Sequence, residues 1–166
     1  MTLFVNTYKS FSEVEKKIIP IAKKHEPFYA KVEWLHTFPY DPLSKSKTVV
    51  YKLEQSSEIS KLQKDVVNKL NKIRTKDQEN SILKEFPNMP EENLENVKKY
   101  GYPFGPNDWT FHSTVDSFSE KEYKNFWPKI KKYDLEKRWK VKHIAIYINL
   151  GKDGFKLYKR YNLGGG

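Results

Sequence analysis

The chain of 166 residues contains no cysteine, only two methionines and no long apolar run. Without cysteine it can form neither a disulfide, nor a thiolate nucleophile, nor a zinc–cysteine site, and this composition suits a reducing compartment. The sequence has neither the run of about 18 apolar residues that a membrane span needs nor a signal-peptide pattern. We therefore predict a cytoplasmic protein without a membrane partner.

Aromatic residues and lysine are, by contrast, plentiful. Aromatics make up 15% of the chain, which is typical of a folded domain and not of a disordered segment. The net charge of +10 favours polyanions such as RNA or nucleotide phosphates as partners. The lysines are spread along the whole chain, however, and such scatter is more typical of a solvated surface than of a binding stripe.

A short string is repeated in the two halves of the sequence. SFSE occurs at residues 10–13 and again at 117–120, and each copy is followed by a proline, Pro20 or Pro128, and then by a lysine pair. Serine caps helices, and the glutamates that follow it complement the positive end of a helix. Each copy therefore predicts the start of a helix, and the repeat predicts two related halves.

Strand-like segments, rich in aromatic and β-branched residues, follow each predicted helix. These segments are residues 28–38, 47–53, 138–150 and 155–163. The segments that lead into the two helices, Thr2–Val5 and Trp109–Val115, also have strand character. Each half is therefore predicted to run strand, helix, strand, strand.

The repeat predicts a single α+β domain of two lobes. Lobe one covers about 1–73 and ends in an amphipathic helix from about Ser57 to Ile73, and lobe two covers about 109–163. Residues 74–108 are predicted to be a long connecting loop with a short helix near Glu91–Lys99. Residues 164–166 are interpreted as a linker or tag.

The predicted strand Trp109–Val115 carries the residues most suited to chemistry. Alternate side chains of a strand share a face, so Thr110, His112 and Thr114 point to one side, and the residues between them belong in a core. A hydroxyl can donate to a phosphate oxygen while an imidazole exchanges a proton. The alternative is a half-buried histidine beside ordinary strand threonines.

The string His112-Ser113-Thr114-Val115 at the opening of a repeated half resembles the His-x-Thr-hydrophobic motif of the 2H phosphoesterase superfamily. That superfamily includes the 2'-5' RNA ligases and the cyclic nucleotide phosphodiesterases of RNA processing, and the preceding GYPFGPNDWTF is similar to one of its branches. The resemblance implies a pseudo-twofold α+β fold whose antiparallel sheets line a central cleft, with one motif contributed by each lobe. It also implies that one histidine acts as general base, the other as general acid, and the threonines hold the phosphate without a metal or other cofactor.

The first motif is incomplete in this sequence. Aligning the halves places Thr2-Leu3 opposite Thr114-Val115, so the histidine of the first motif would precede Met1. Either the sequence starts inside the motif, which the terminal glycines favour, or a natural divergent protein has lost half of its site. We assign His112, Thr114 and Thr2 as catalytic residues and expect the chain of 166 residues to hydrolyse its substrate poorly.

Aromatic residues ahead of the motif, Tyr102, Phe104 and Trp109, are candidates for stacking a base of the substrate, although core packing explains Trp109 equally well. The predicted substrate is a 2',3'-cyclic phosphate or a short 2'-5' linked oligonucleotide derived from RNA. Two alternatives remain: a noncatalytic RNA- or nucleotide-binding protein that uses the same basic cleft, and a structural α+β module without a ligand.

The other three histidines are not expected to replace the missing one. His36 is followed directly by Thr37, so the two side chains would point to opposite faces of a strand. His143 is expected to be a core histidine, and His25 to lie at a helix end, where a cation is favourable. The histidines lack metal-ligand spacing, so no metal site is predicted.

Overall fold

A computed structural model describes residues 2–41, 46–106, 109–132 and 137–165, with the side chains of 39–41 excepted. Met1, Asn107, Asp108 and Gly166, which the sequence-based predictions include, lie outside the described residues. The helices are α1 (Phe11–Lys24), α2 (Ser57–Leu70), α3 (Asp77–Glu85), α4 (Glu91–Tyr100) and α5 (Glu120–Ile130). The strands are β1 (Phe28–Asp41), β2 (Ser46–Leu53), β3 (His112–Phe118), β4 (Arg138–Val141), β5 (His143–Asn149) and β6 (Phe155–Asn162). Short 3₁₀ turns cover Asn71–Ile73, Gly151–Asp153 and Leu163–Gly165.

The predicted combination of helices with antiparallel strands is confirmed. The chain divides into two compact units, and each unit draws on both halves of the sequence. The first unit comprises Met1–Thr2, Tyr29–Ser56 and Thr110–Lys140, and the second comprises Leu3–Phe28, Ser57–Trp109 and Val141–Gly166. No helix in the described part of the chain has both the length and the apolar character that crossing a membrane requires.

The first unit is built on a four-stranded sheet with the order β3-β2-β1-β4. The β1–β2 and β2–β3 pairs are antiparallel. Helix α5 packs on one face of this sheet, where Phe126 stacks on Phe118 with 4.3 Å between ring centroids. On the same face the Tyr123 hydroxyl lies 3.1 Å from the Thr37 hydroxyl.

The second unit is held together by a core between α1, α2 and the β5–β6 hairpin. The predicted apolar stripe of α2 is confirmed, because the side chains along it are buried. These residues are Ile59, Leu62, Val66, Val67 and Leu70. A smaller cluster of Ile82, Met89 and Val97 joins α3 to α4.

Two strand predictions were wrong, one because no strand forms and the other because the segment forms two strands. Thr2–Val5 forms no strand: Leu3 and Phe4 pack against the core of the second unit instead, and the Val5 carbonyl accepts a hydrogen bond from the Gln78 side chain at 3.4 Å. The segment 138–150 is broken at Lys142 into β4 and β5, which belong to different sheets. Periodicity within one segment does not report which partner each part will pair with.

The segment 74–108 is more ordered than a loop. The predicted short helix is confirmed as α4, and a further helix, α3, precedes it. Gly101 ends α4 in the left-handed conformation with φ of 71°, where its amide donates to the Val97 carbonyl at 2.7 Å. Glycine adopts this conformation without the steric cost that other residues bear.

The two copies of SFSE begin their helices at different serines. Ser119 caps α5 through a capping box, in which its amide donates to the Glu122 carboxylate at 2.9 Å and its hydroxyl accepts from the Glu122 amide at 3.4 Å. In the first copy α1 begins two residues earlier in the string, after Ser10, whose side chain makes no capping hydrogen bond. The repeat therefore preserves the helices but not the cap.

We expect Ser119→Ala to destabilise the protein by about 0.5–2 kcal/mol, as is typical of a lost N-cap, and Ser10→Ala to change its stability little. Hydrogen bonds from Ser119 lower the pKa of the Glu122 carboxyl. The stabilisation from the ionised carboxylate is therefore present above its unfolded-state pKa and is lost as the pH falls through the lowered value. Urea denaturation of both variants at neutral and acid pH checks this, and equal losses at Ser10 and Ser119 would contradict it.

Candidate active site

The His-x-Thr pair lies at the start of β3, at one edge of the four-stranded sheet. In the β2–β3 register His112 is directly opposite Lys52, and Thr114 is directly opposite Val50. Side chains that are directly opposite in an antiparallel pair project from the same face. His112 and Thr114 therefore share a face, as predicted, and His112 is half-buried while Thr114 is exposed.

The same face extends onto β1. Trp34 is opposite Lys52, and His36 is opposite Val50 in the β1–β2 register. We call this the site face, defined by His112, Thr114, Lys52, Trp34 and His36. The opposite face carries Thr37 and Phe118 and is the one on which α5 packs.

A hydrogen bond to the backbone determines how the His112 ring can act. Its Nδ1 lies 2.7 Å from the carbonyl oxygen of Thr110. A carbonyl oxygen can only accept, so Nδ1 carries a proton and donates it. Nε2 is therefore the atom at which His112 gains or loses a proton. This bond assigns the tautomer and restrains the ring, which is how histidines that exchange protons are commonly oriented.

Phe38 contacts two histidine rings. Its ring centroid lies 5.4 Å from that of His112 and 5.2 Å from that of His36, with interplanar angles of 82° and 80°. Edge-to-face contacts of this kind fix the orientation of both rings. Phe38 was not predicted from the sequence because β1 and β3 are not hydrogen-bonded neighbours, although Trp34, His36 and Phe38 alternate along β1 and so share a face.

His36 lies on the site face without forming a second motif. Thr37 points to the other side, towards Tyr123, so the prediction that His36 and Thr37 face opposite ways is confirmed. The rings of His36 and His112 therefore both contact Phe38, but the hydroxyl next to His36, that of Thr37, lies on the opposite face.

One cation lies on the site face beside the motif. The Lys52 Nζ lies 4.4 Å from the centroid of the Trp34 ring and 3.6 Å from the Glu33 carboxylate. Cation–π contact restrains the ammonium over the ring. A positive charge at the position opposite His112 favours an anionic ligand on this face.

A β-bulge follows the motif directly. Val49 is opposite Asp116, but Val50 is opposite Thr114, so Val115 is the extra residue in β3. Bulges occur frequently next to active sites, where they redirect a side chain or end regular pairing. This one separates the His112–Thr114 pair from the rest of β3.

The remaining predicted site residues fall in both units. Thr2 is exposed and belongs to the unit that contains β3, and its position opposite Thr114 stays a prediction. Tyr102 and Phe104 belong to the second unit, where their rings meet edge to face with 5.7 Å between centroids. Tyr102 packs against the α3–α4 cluster, whereas Phe104 is 38% exposed. Trp109 is half-buried and is the last residue of the second unit's segment Ser57–Trp109.

Two further histidines are accounted for. His143 is exposed on β5, so the expectation of a core histidine was wrong, because the break at Lys142 separates it from Trp139 and Val141. His25 ends α1 and lies 2.8 Å from the Asp65 carboxylate. Burial raises the pKa of Asp65, but hydrogen bonds with Lys24 and His25 outweigh it and lower the pKa overall. His25 is therefore part of a structural ion cluster.

The protein is thus of the α+β class and carries a His-x-Thr strand in an antiparallel sheet. The ring of His112 is oriented by a hydrogen bond, and Thr114 lies on the same face of the sheet. The family model of the 2'-5' RNA ligase superfamily matches residues 1–153, and the protein belongs to this superfamily. The resemblance identified in the sequence is thereby confirmed. A search of curated proteins found no match.

Proposed function

We propose that the protein is a phosphodiesterase of the 2H type that acts on RNA-derived 2',3'-cyclic phosphates or 2'-5' linked oligonucleotides. The observation that supports this most directly is the hydrogen bond from His112 Nδ1 to the Thr110 carbonyl, which assigns proton exchange to Nε2. The Thr114 hydroxyl lies on the same face two residues further on. Membership of the 2'-5' RNA ligase superfamily supports phosphoesterase chemistry in general.

Hydrolysis of a cyclic phosphate requires two proton transfers. Water attacks the phosphorus and gives up a proton to a general base, and the bond to one ribose oxygen breaks as a general acid protonates that oxygen. The product is a phosphate monoester with a free hydroxyl. His112 performs one of these transfers, and we assign the other to a histidine that the first motif would place directly ahead of Met1.

The threonines and Lys52 act on the phosphate itself. The Thr114 hydroxyl donates to a nonbridging oxygen, and Thr2 does the same from the first motif. Lys52, held over Trp34, supplies positive charge to the face on which the dianionic transition state forms. In this scheme His112, Thr114, Thr2 and Lys52 act together with the histidine that the first motif would place ahead of Met1.

A pair of neighbouring hydroxyls tests the assignment of Thr114. Thr114→Val keeps the shape of the side chain but removes the donor, and a hydrogen bond to a charged group contributes about 1.5–3 kcal/mol. We expect turnover of a 2',3'-cyclic nucleotide to fall about 10- to 100-fold, measured by the rate at which the monophosphate product appears. Ser113 is opposite Tyr51 and projects from the other face, so Ser113→Ala should leave turnover nearly unchanged.

Equal losses of turnover in the Thr114→Val and Ser113→Ala variants would contradict the assignment of Thr114 to the phosphate. RNA binding without turnover, unaffected by replacement of His112, would instead identify a noncatalytic RNA-binding protein.

A further inference from the structure

The β5–β6 hairpin uses only one of its faces in the core of its unit. Ile144 and Tyr161, which are directly opposite, are buried against α1 and α2. Glu15 of α1 accepts hydrogen bonds from the Tyr161 hydroxyl at 2.7 Å and from the Lys159 ammonium at 2.8 Å. These two bonds lower the pKa of the Glu15 carboxyl, Lys159 having the larger effect. The inner face of the hairpin is thus anchored to α1.

The other face presents large apolar side chains to solvent. Tyr147 is directly opposite Leu157, and Phe155 is opposite Asn149, so all four project away from the inner face. Phe155 is 71% exposed, Tyr147 54% and Leu157 37%. Arg160, opposite Ala145, is exposed on the same face. We call Tyr147, Phe155, Leu157 and Arg160 the hairpin platform.

An exposed group of this kind calls for a ligand, because soluble proteins rarely leave several large apolar side chains together in water. Tyr147 and Phe155 belong to neighbouring cross-strand pairs, and residues on such a diagonal of the ladder are roughly 7–8 Å apart. That separation allows two successive bases of one strand to lie against them.

The charge of the hairpin indicates the chemistry of the ligand. From Val141 to Asn162 the chain has one acidic residue, Asp153, and five basic ones. The basic residues are Lys142, Lys152, Lys156, Lys159 and Arg160. All five are exposed, but Lys156 and Lys159 are opposite Ile148 and Ile146 and so project from the inner face, where Lys159 is joined to Glu15. Arg160 is the cation that the register places on the same face as the two rings. Aromatic rings beside a cation are a combination that binds single-stranded nucleic acid, through stacked bases and neutralised phosphates.

We propose that the hairpin platform binds single-stranded RNA, with Phe155 and Tyr147 stacking on unpaired bases and Arg160 contacting the backbone. The choice of RNA as the nucleic acid rests on the proposed function. The platform would bind unpaired bases of an RNA chain, in addition to the phosphate contacts proposed for His112 and Thr114. An apolar protein partner would cover the rings but would leave the basic excess unmatched.

Fluorescence anisotropy with a labelled single-stranded oligouridine of about 12 nucleotides tests the proposal. Stacking contributes about 1–3 kcal/mol per base, so Phe155→Ala and Tyr147→Ala should each weaken binding by roughly 5- to 150-fold. Arg160→Ala should reduce the slope of log K against log salt by about 0.7, as expected for one lost phosphate contact. Tyr158→Ala is the matched control, because Tyr158 lies on the same strand but stacks on Phe11 of α1 with 5.1 Å between ring centroids.

Two outcomes would overturn the platform. One is unchanged oligouridine binding in the combined Phe155→Ala and Tyr147→Ala variant, confirmed as folded by circular dichroism. The other is concentration-dependent self-association that these substitutions abolish, since the platform would then be a surface between two copies of the chain.

The proposal of RNA binding by the platform and the proposal of a catalytic site can be tested independently. Phe155→Ala should leave hydrolysis of a cyclic mononucleotide unchanged, because Phe155 is not one of the residues assigned to the reaction. Oligouridine binding by a His112→Ala variant supports the platform even if no turnover is found in any variant.

Discussion

His112→Ala is expected to lower turnover of a 2',3'-cyclic nucleotide by about 10²- to 10⁴-fold, the range typical for loss of a positioned acid or base. The reason is the orientation of the ring: Nδ1 is committed to the Thr110 carbonyl, so Nε2 carries the proton exchange. Alanine removes that atom. The other histidine of the first unit in the described residues, His36, lies on β1 and not on β3.

This effect is best measured in two forms of the protein, the chain of 166 residues and the same chain with a histidine placed directly ahead of Met1. If the first motif supplies the second proton-transfer group, the added histidine should raise turnover by a similarly large factor. The loss of turnover from lacking that histidine and the loss from His112→Ala should not be additive. The pH–rate profile of the extended chain should have two limbs, of which His112→Ala removes one.

His25→Gln is the control for the His112 substitution. His25 belongs to the second unit and is bonded to Asp65, and glutamine keeps a donor towards that carboxylate. Its turnover should match that of the unmodified protein. Substantial activity remaining in folded His112→Ala would remove His112 from the chemistry.

Arg74→Met is expected to destabilise the protein by about 3–5 kcal/mol, the usual result of removing one partner of a buried ion pair. The Arg74 guanidinium donates to the Glu79 carboxylate at 2.8 Å, to the Asn71 side-chain oxygen at 2.9 Å and to the Lys98 carbonyl at 2.9 Å. The side chains of Arg74 and Glu79 are each only 11% exposed. Methionine would leave the Glu79 carboxylate largely buried without its cation.

The position of Arg74 explains why replacing this one side chain is expected to lower the stability so much. It lies just after the 3₁₀ turn that follows α2, and its partners lie in that turn, within α3 and near the end of α4. Urea denaturation measures the loss. The combined Arg74→Met and Glu79→Leu variant is the control, because it removes both charges and should cost less than Arg74→Met alone. A loss below about 1 kcal/mol in the single variant would show that the pair is effectively solvated.

Most helices and strands were predictable because their signals are local. The stripe of α2 and the alternating strand patterns reflect which side chains must be buried, and this is decided by spacing along the chain. Helix α3 was missed because its nine residues carry only a weak stripe, Ile82 and Glu79 being the buried members. Glu79 is buried where its carboxylate accepts a hydrogen bond from Arg74, and a carboxylate does not register as part of an apolar stripe.

The candidate site was predictable only in part. His112 and Thr114 could be placed on one strand face from the sequence, since their spacing of two residues matches the strand repeat. Phe38 and Lys52 could not be placed, because they reach the site face through the registers of β1 with β2 and of β2 with β3. Register depends on pairing partners distant in sequence, and a shift of one residue would move each side chain to the opposite face.

The amino-acid sequence by itself therefore determined most of the helices and strands, the His-x-Thr pair and the superfamily to which the protein belongs. Only the tertiary structure decided that Thr2–Val5 forms no strand, that the chain breaks at Lys142, and that the outer face of the β5–β6 hairpin is exposed. The physical reason is that local patterns specify which residues avoid water. Which surfaces then cover them is decided by contacts between segments far apart in the chain.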